Sequence, residues 1–298
     1  MRISTKTIYD AVKFNLGQIS EALNKANKVA STGKRITTLS DDPVGLVQSL
    51  HIKSDLSNIE QMGRNITFGK SWLVAVESAL SQVQDLISDA KSLCIQMSNA
   101  STSAEQRVLA SENIRNILEG IVSLANTEIN GRYIFAGSET DTAPFTLNGN
   151  AVTYNGDDNV FAVSIGRNTK VQLGFDGNDI FRPSGTGADD DIFKTLSDLK
   201  TALEDNSPGV IKEAMDKLDV HFEHISAKIS STGSRMVCME MKEKIFQDLE
   251  LTHTERISRI EDADITSAIM HLKQKELAYQ AALASSGSVM KLSLIDYL

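Results

Sequence analysis

At 298 residues the chain has room for one large domain or two to three small ones, and a hydrophobic fraction of 41% suffices for a core. Aromatics make up 5%, with one Trp and four prolines, a balance that suits long helices with narrow aliphatic seams better than a thick globular core. The net charge of −9 disfavours phosphate-backbone binding, which needs clustered Lys and Arg, so no nucleic-acid partner is expected.

Cys94 and Cys238 are the only cysteines, too few for a disulfide framework or a four-Cys zinc site. No apolar run approaches the roughly 18 residues that a bilayer span requires. The start, Met1-Arg2-Ile3-Ser4-Thr5-Lys6, lacks the apolar core and cleavage site of a Sec signal peptide. Export, if it occurs, is expected by another route.

Residues 8–30 place Ile8, Val12, Ile19, Leu23, Ala26 and Ala30 on one helical face. The first 35 residues carry seven Lys/Arg against two acidic residues. A basic amphipathic helix can lie on a membrane, but this face lacks the Trp and Phe weight of an interfacial anchor, so no membrane partner is expected. Ser40-Asp41-Asp42-Pro43 offers a capping oxygen just ahead of a proline, whose missing N–H is harmless in a first turn. From there to Pro144 no proline interrupts the chain. Leu73, Val76, Leu80, Val83, Ile87, Ala90, Cys94 and Met97 recur at alternating spacings of three and four, the seam of coiled-coil packing. A helix over residues 42–100 would be roughly 90 Å long. After a break near residues 99–103 the pattern resumes at Ala110, Ile114, Ile117, Ile121 and Leu124.

Between Gly131 and Gly187 the composition changes: nine of the 18 glycines, two of the four prolines and seven of the 16 aromatics lie there. Residues 132–136, 151–154, 160–165 and 171–175 read as strands, separated by Asn148-Gly149, Asn155-Gly156-Asp157 and Asp176-Gly177 turns. A compact antiparallel sheet is expected. Asp189-Asp190-Asp191 then puts negative charge at the start of a helix bearing Ile192, Leu196, Leu199 and Leu203. From Pro208 the stripe Ile211, Met215, Leu218, Phe222, Ile225, Ile229 begins a second long helix. The last stretch carries Ile265, Ile269, Leu272, Tyr279, Leu283 and Met290, with Leu292 and Leu294 beyond.

The predicted fold is mainly α with a β-rich insert: long antiparallel coiled-coil helices from both termini and a small antiparallel β domain in the middle. Five segments follow: 1–40 as an assembly segment, 41–130 and 189–262 as two parts of a helical rod, 131–188 as the β-rich insert, and 263–298 as a C-terminal assembly helix. Narrow stripes at the extreme ends do not offset the entropy of ordering a lone helix, so a partner helix must cover them. The expected assembly seam is Ile8, Val12, Ile19, Leu23, Ile265, Ile269, Leu272, Tyr279, Leu283, Met290, Leu292 and Leu294.

Three separated motifs carry a family resemblance. Ser31-Thr32-Gly33-Lys34-Arg35-Ile36 followed by Ser40-Asp41-Asp42-Pro43-Val44-Gly45-Leu46 resembles the flagellin N-terminal signature. Asn130-Gly131-Arg132-Tyr133-Ile134-Phe135-Ala136-Gly137, and Tyr279-Gln280-Ala281-Ala282-Leu283 with Leu292-Ser293-Leu294-Ile295-Asp296-Tyr297-Leu298, are similar to the flagellin-superfamily member at the hook–filament junction. The resemblance implies a structural subunit that joins hook to filament, with a filament flagellin subunit as the alternative. It implies type III export through an N-terminal signal and an extracellular location in the flagellum. The implied partners are a hook-side hook-associated adaptor, filament flagellin, copies of the chain in a ring, and a cytoplasmic export chaperone on residues 265–298.

Catalytic and metal chemistry is not signalled. Cys94 falls on the seam and Cys238 sits in Met236-Val237-Cys238-Met239, so both read as core thiols. His221 and His224 share a helix face without further ligands nearby. Asp157-Asp158-Asn159 and Asp176-Gly177-Asn178-Asp179 fit turns rather than a 12-residue calcium loop. With no phosphate loop, nucleophile elbow or His-Glu zinc motif, the chain is expected to be no enzyme and to hold no cofactor or metal.

Overall fold

A computed structural model describes residues 2–99 and 101–295, with side chains at 6–7, 9–99 and 101–288. Seven helices and six short strands follow in chain order: α1 Arg2–Thr32, α2 Pro43–Met97, α3 Ala104–Ala125, β1 Glu128–Ile129, β2 Arg132–Tyr133, β3 Phe145–Asn148, β4 Ala151–Tyr154, β5 Ala162–Ser164, β6 Lys170–Gln172, α4 Gly177–Phe181, α5 Ile192–Glu204, α6 Pro208–Glu261 and α7 Ile265–Ile295. The chain forms two compact units, residues 1–58 with 248–298, and residues 59–247. The mainly α fold with small antiparallel β elements in the middle is as expected.

The helix ends are written locally. Asp42 Oδ1 accepts the Gly45 N–H at 2.9 Å and so caps α2, while Pro43 occupies the first helical position. Ser103 and Gln106 form a reciprocal capping box at the start of α3. The buried Asp191 takes the Phe193 and Lys194 N–H groups at the head of α5. Asp264 does the same for Thr266 and Ser267 in α7.

In the unit of residues 59–247 the period-3.5 stripe is the core. Leu73, Val76, Leu80, Val83, Ile87, Ala90 and Cys94 of α2 are buried, as are Ala110, Ile114, Ile117 and Ile121 of α3 and Ile211, Leu218 and Ile225 of α6. Gln84 donates to Ser226 at 2.7 Å, and Lys70–Glu243 (2.9 Å) and Lys91–Asp219 pair across the same two helices. As the α2 numbers rise the α6 numbers fall, so α2 and α6 run antiparallel.

The single expected sheet is instead three separate two-stranded antiparallel ladders, β1–β2, β3–β4 and β5–β6. Strands of two to four residues cannot cover a face by themselves. Packing falls to an aromatic cluster and to α3 and α5. Phe145 lies 5.4 Å from Phe181 and 5.2 Å from Phe193, and Phe181 lies 5.4 Å from Phe135. Arg182, fully buried, stands 5.4 Å from the centre of the Phe145 ring and donates to the Val152 carbonyl, Thr186 and Asn178.

Three local readings are corrected. The strand expected over 132–136 is confined to Arg132–Tyr133: the Ile134 N–H adds one further ladder bond to the Thr127 carbonyl at 3.0 Å, and Ala136 instead bridges to Asp176. Asp176-Gly177 is a helix start, Asp176 accepting the Asn178 N–H at 2.7 Å, and not a hairpin turn. Cys238 is exposed because its neighbour Met239 takes the buried position on α6, and successive helical residues point about 100° apart. Burial pushes the Cys94 thiol up to about 12, whereas Cys238 lies open to solvent. A thiol reagent such as DTNB should therefore titrate one cysteine in the folded chain and both after denaturation. Two fast-reacting thiols in the folded protein would contradict this core.

Candidate functional site

The terminal helices meet in the unit of residues 1–58 and 248–298, where α1 packs on α7. On α1 half-buried positions include Val12, Leu16, Ile19, Leu23, Ala26 and Ala30, at spacings of four, three, four, three and four, with Ser20, Ala22 and Val29 flanking them. On α7 the matching stripe is Ala268, Leu272, Lys275, Tyr279, Ala282 and Ser286, with the same spacings. Two heptad stripes face to face make a two-helix coiled-coil seam.

A compact corner sets the register of this pair. Gly33 leaves α1 with φ +70, a conformation that side chains resist, and its carbonyl accepts the Ala263 N–H at 2.8 Å. The Arg35 N–H donates to the Glu261 carbonyl at 2.6 Å, and Lys34 and Asp262 form an antiparallel bridge. The end of α1 is thereby tied to the start of α7, which makes the two helices antiparallel. Gly45 permits the closest approach: a Cβ there would sit 2.6 Å from Asp42 Oδ2 and 2.8 Å from Ile36 Cδ1.

Charge is concentrated in the same corner. The buried Glu261 carboxylate accepts from Lys34 Nζ at 2.8 Å, and also from Lys53 Nζ and Ser49 Oγ. Burial alone would raise its pKa. The bonds from Lys34, Lys53 and Ser49 outweigh that and bring the carboxyl down to about 2. Lys34 is raised in return, chiefly by its hydrogen bond to Glu261. Nearby, Asp41 accepts from Lys25 at 2.6 Å and from the Thr37 and Thr38 N–H groups at 3.1 and 3.0 Å, and these bonds hold it well below the usual carboxylate range.

The expected seam residues divide on this frame. Val12, Ile19 and Leu23 lie on the α1 stripe, and Leu272 and Tyr279 on the α7 stripe. Ile265, Ile269 and Leu283 stand off it, each about half exposed, alongside Met270 at 64% and Leu277 at 66%. The side chains of Ile8, Met290, Leu292 and Leu294 lie outside the described residues. Leu16 and Ala268 were missed, although extending the heptad count by one step finds both. Glu261 and Lys53 carried no sequence signal, since their partners lie 208 to 227 residues away.

Apolar surface is thus left over after α1 and α7 have covered each other. Leu39, Val44, Val47 and Leu50, at the head of α2, add four further exposed aliphatic side chains. The unit holding these faces has 13 Lys/Arg against 13 Asp/Glu, while residues 59–247 have 17 against 26 and carry the whole net charge of −9. Neutral, apolar surfaces can be brought together without like-charge repulsion. Among the described residues no three or more His, Cys, Asp or Glu are arranged to hold a metal ion, and no helix is long and apolar enough to cross a membrane.

This arrangement, a paired N- and C-terminal helix with a β-containing middle, is that of flagellin-like proteins, and residues 3–140 match the bacterial flagellin N-terminal helical region. Over these residues the chain is similar to the flagellin family. It is 26% identical to flagellar hook-associated protein 3 of Escherichia coli K12 and 27% identical to that of Salmonella typhimurium LT2, in each case over 99% of both chains. Among solved structures it resembles Bacillus cereus FlgL at 25% identity, with a TM-score of 0.61 over 70% of this chain and 99% of that one.

The Glu261 corner has a defined pH response. Its folded pKa lies below the unfolded value of about 4.3, so its stabilisation is complete above pH ~4.3 and is lost as pH falls toward 2. Amide protection around residues 260–268 should fall across that window in the native chain. Glu261→Gln should abolish the dependence and lower protection at neutral pH. An unchanged acid profile in the variant would exclude the role given to Glu261.

Proposed function

We propose that this chain is the structural subunit that joins the flagellar hook to the flagellin filament, through coiled-coil packing of its terminal helices. The observation that carries the proposal is the full-length likeness to hook-associated protein 3, coupled to an α7 that remains apolar outside the stripe covered by α1. A helix that is apolar on several faces is stable when surrounded by others. The alternative of a filament flagellin subunit has less support, since the relatives aligned over 99% of both chains are hook-associated proteins.

In this reading residues 1–40 and 263–298 are the inner assembly segments, 41–130 and 189–262 the rod, and 131–188 the outward insert. The partners are a hook-side hook-associated protein on one side and filament flagellin on the other, with copies of the chain side by side in a ring. Before export a cytoplasmic chaperone covers residues 265–298, whose uncovered Ile269, Met270, Leu277 and Leu283 would otherwise aggregate. The working location is the extracellular flagellum.

Leu283 is exposed in the isolated chain, so Leu283→Asp should change its stability by no more than about 0.5 kcal/mol. Once neighbours cover that position, an unpaired carboxylate there costs several kcal/mol. Cells carrying only this variant should release unpolymerised filament protein into the medium and fail to swim. Normal filaments would count against the proposed seam. Removal of residues 1–35 should separately keep the chain inside the cell; its recovery from the medium would refute an N-terminal export signal.

A further inference from the structure

His221 and His224 form no part of the assembly surface, yet both do structural work at one face of α6. His221 is buried, with Nε2 3.0 Å from Thr195 Oγ1 on α5. The Thr195 hydroxyl donates its own proton to the Asp191 carbonyl at 3.0 Å, so it can only accept from the imidazole. The neutral His221 therefore carries its single proton on Nε2. One turn on, His224 Nε2 lies 2.9 Å from the Asp179 carbonyl of α4, again as donor. Lys228 holds the Asp179 carboxylate at 2.6 Å. One face of α6 thus secures α5 through His221, and α4 through His224 and Lys228.

We propose that His221 is an acid-sensitive latch: protonation inside the α5–α6 contact releases α5 and its leading loop, while the Glu261 corner in the other unit stays closed. A second proton on the ring would have to be accommodated in a buried contact. The acidic groups nearest to it, Asp191 and Asp190, favour that proton, while His224 and Lys217 on α6 itself oppose it. Asp191 is already committed, accepting from the Phe193, Lys194 and Gly187 N–H groups. Asp190 accepts from Ser184 through one oxygen, while the other is buried without a hydrogen-bond partner; several other charged groups on the adjoining elements are committed. Lys194 of α5 donates to the Gly187 carbonyl, Asp179 of α4 pairs with Lys228, and Lys91 of α2 pairs with Asp219.

Burial lowers the His221 pKa to about 4, from an ordinary 6.5. The sign follows from that direction. The unfolded or undocked ring takes up a proton near pH 6.5 and the docked ring does not, so docking is fully favoured above that pH. It weakens by roughly 150-fold as pH falls to 4. The Glu261 carboxyl is still ionised across this window, so the two units respond to acid in sequence.

The full-length chain should be followed by amide exchange between about pH 7.5 and 4, corrected for intrinsic exchange rates. The expected result is a fall in protection over residues 184–204 as pH drops below about 6.5, with residues 12–30 and 260–275 unchanged. His221→Gln, which keeps a hydrogen-bond donor toward Thr195 but cannot charge, should flatten that fall. Persistent acid sensitivity in a folded His221→Gln chain would overturn the latch, as would simultaneous loss of protection in both units. Should the variant not fold, NMR titration of the His221 ring in the native chain decides: a pKa at or above 6.5 overturns the proposal, and one near 4 to 5 supports it.

Discussion

A helix with one narrow apolar stripe stays ordered only while something covers that stripe, because its own hydrogen bonds exchange with water and return little net free energy. Every long element of this chain lives under that constraint. In residues 59–247 the stripes of α2, α3 and α6 cover one another and are lost from solvent. In the terminal unit the cover is partial. The stripe of α1 meets one face of α7, and Ile269, Met270, Leu277 and Leu283 of α7 stay about half or more exposed. In the proposed junction role this imbalance has a use: the middle is complete on its own, and the burial of the ends is left for neighbours to finish.

The corner between Gly33–Arg35 and Glu261–Ala263 converts a loose tendency to pair into a defined geometry. Heptad stripes alone tolerate sliding by seven residues, since each shift again matches apolar to apolar. Backbone bonds between Gly33 and Ala263, and between Arg35 and Glu261, pin the end of one helix to the start of the other and remove that freedom. The buried carboxylate strengthens the pin because it accepts from two lysines and a serine, which together offset its desolvation. Charge is also divided between the units in a useful way. The terminal unit is balanced and can approach its own kind, whereas the middle unit keeps the whole negative surplus, which favours solubility.

Buried polar side chains outside the corner have a different part. Arg182 ties the β3–β4 hairpin, α4 and the loop ahead of α5 together through three acceptors and a ring of aromatic faces. His221 ties α5 to α6. Short strands leave the insert without a continuous sheet, so these few polar contacts and the Phe135, Phe145, Phe181 and Phe193 cluster take over the task of fixing its shape.

The long helices, their starts at Pro43, Ile192 and Pro208, and the seam from Leu73 to Cys94 were legible in the sequence, since capping residues and a 3.5-residue period are properties of neighbouring positions. So was the segment of altered composition between Gly131 and Gly187, and so were the flagellin-like motifs. Other features depended on residues brought together by folding. Whether short β runs join into one sheet or three is settled by which backbone groups find partners, and β1–β2, β3–β4 and β5–β6 each found theirs only within its own pair. The choice of Met239 over Cys238 for the core is a matter of helix rotation. Division of the apolar residues of α7 into a covered stripe and an open one, and the gathering of Lys34, Ser49 and Lys53 on Glu261, require two distant stretches to meet. Local pattern encodes which residues can be buried; only the tertiary arrangement determines against what.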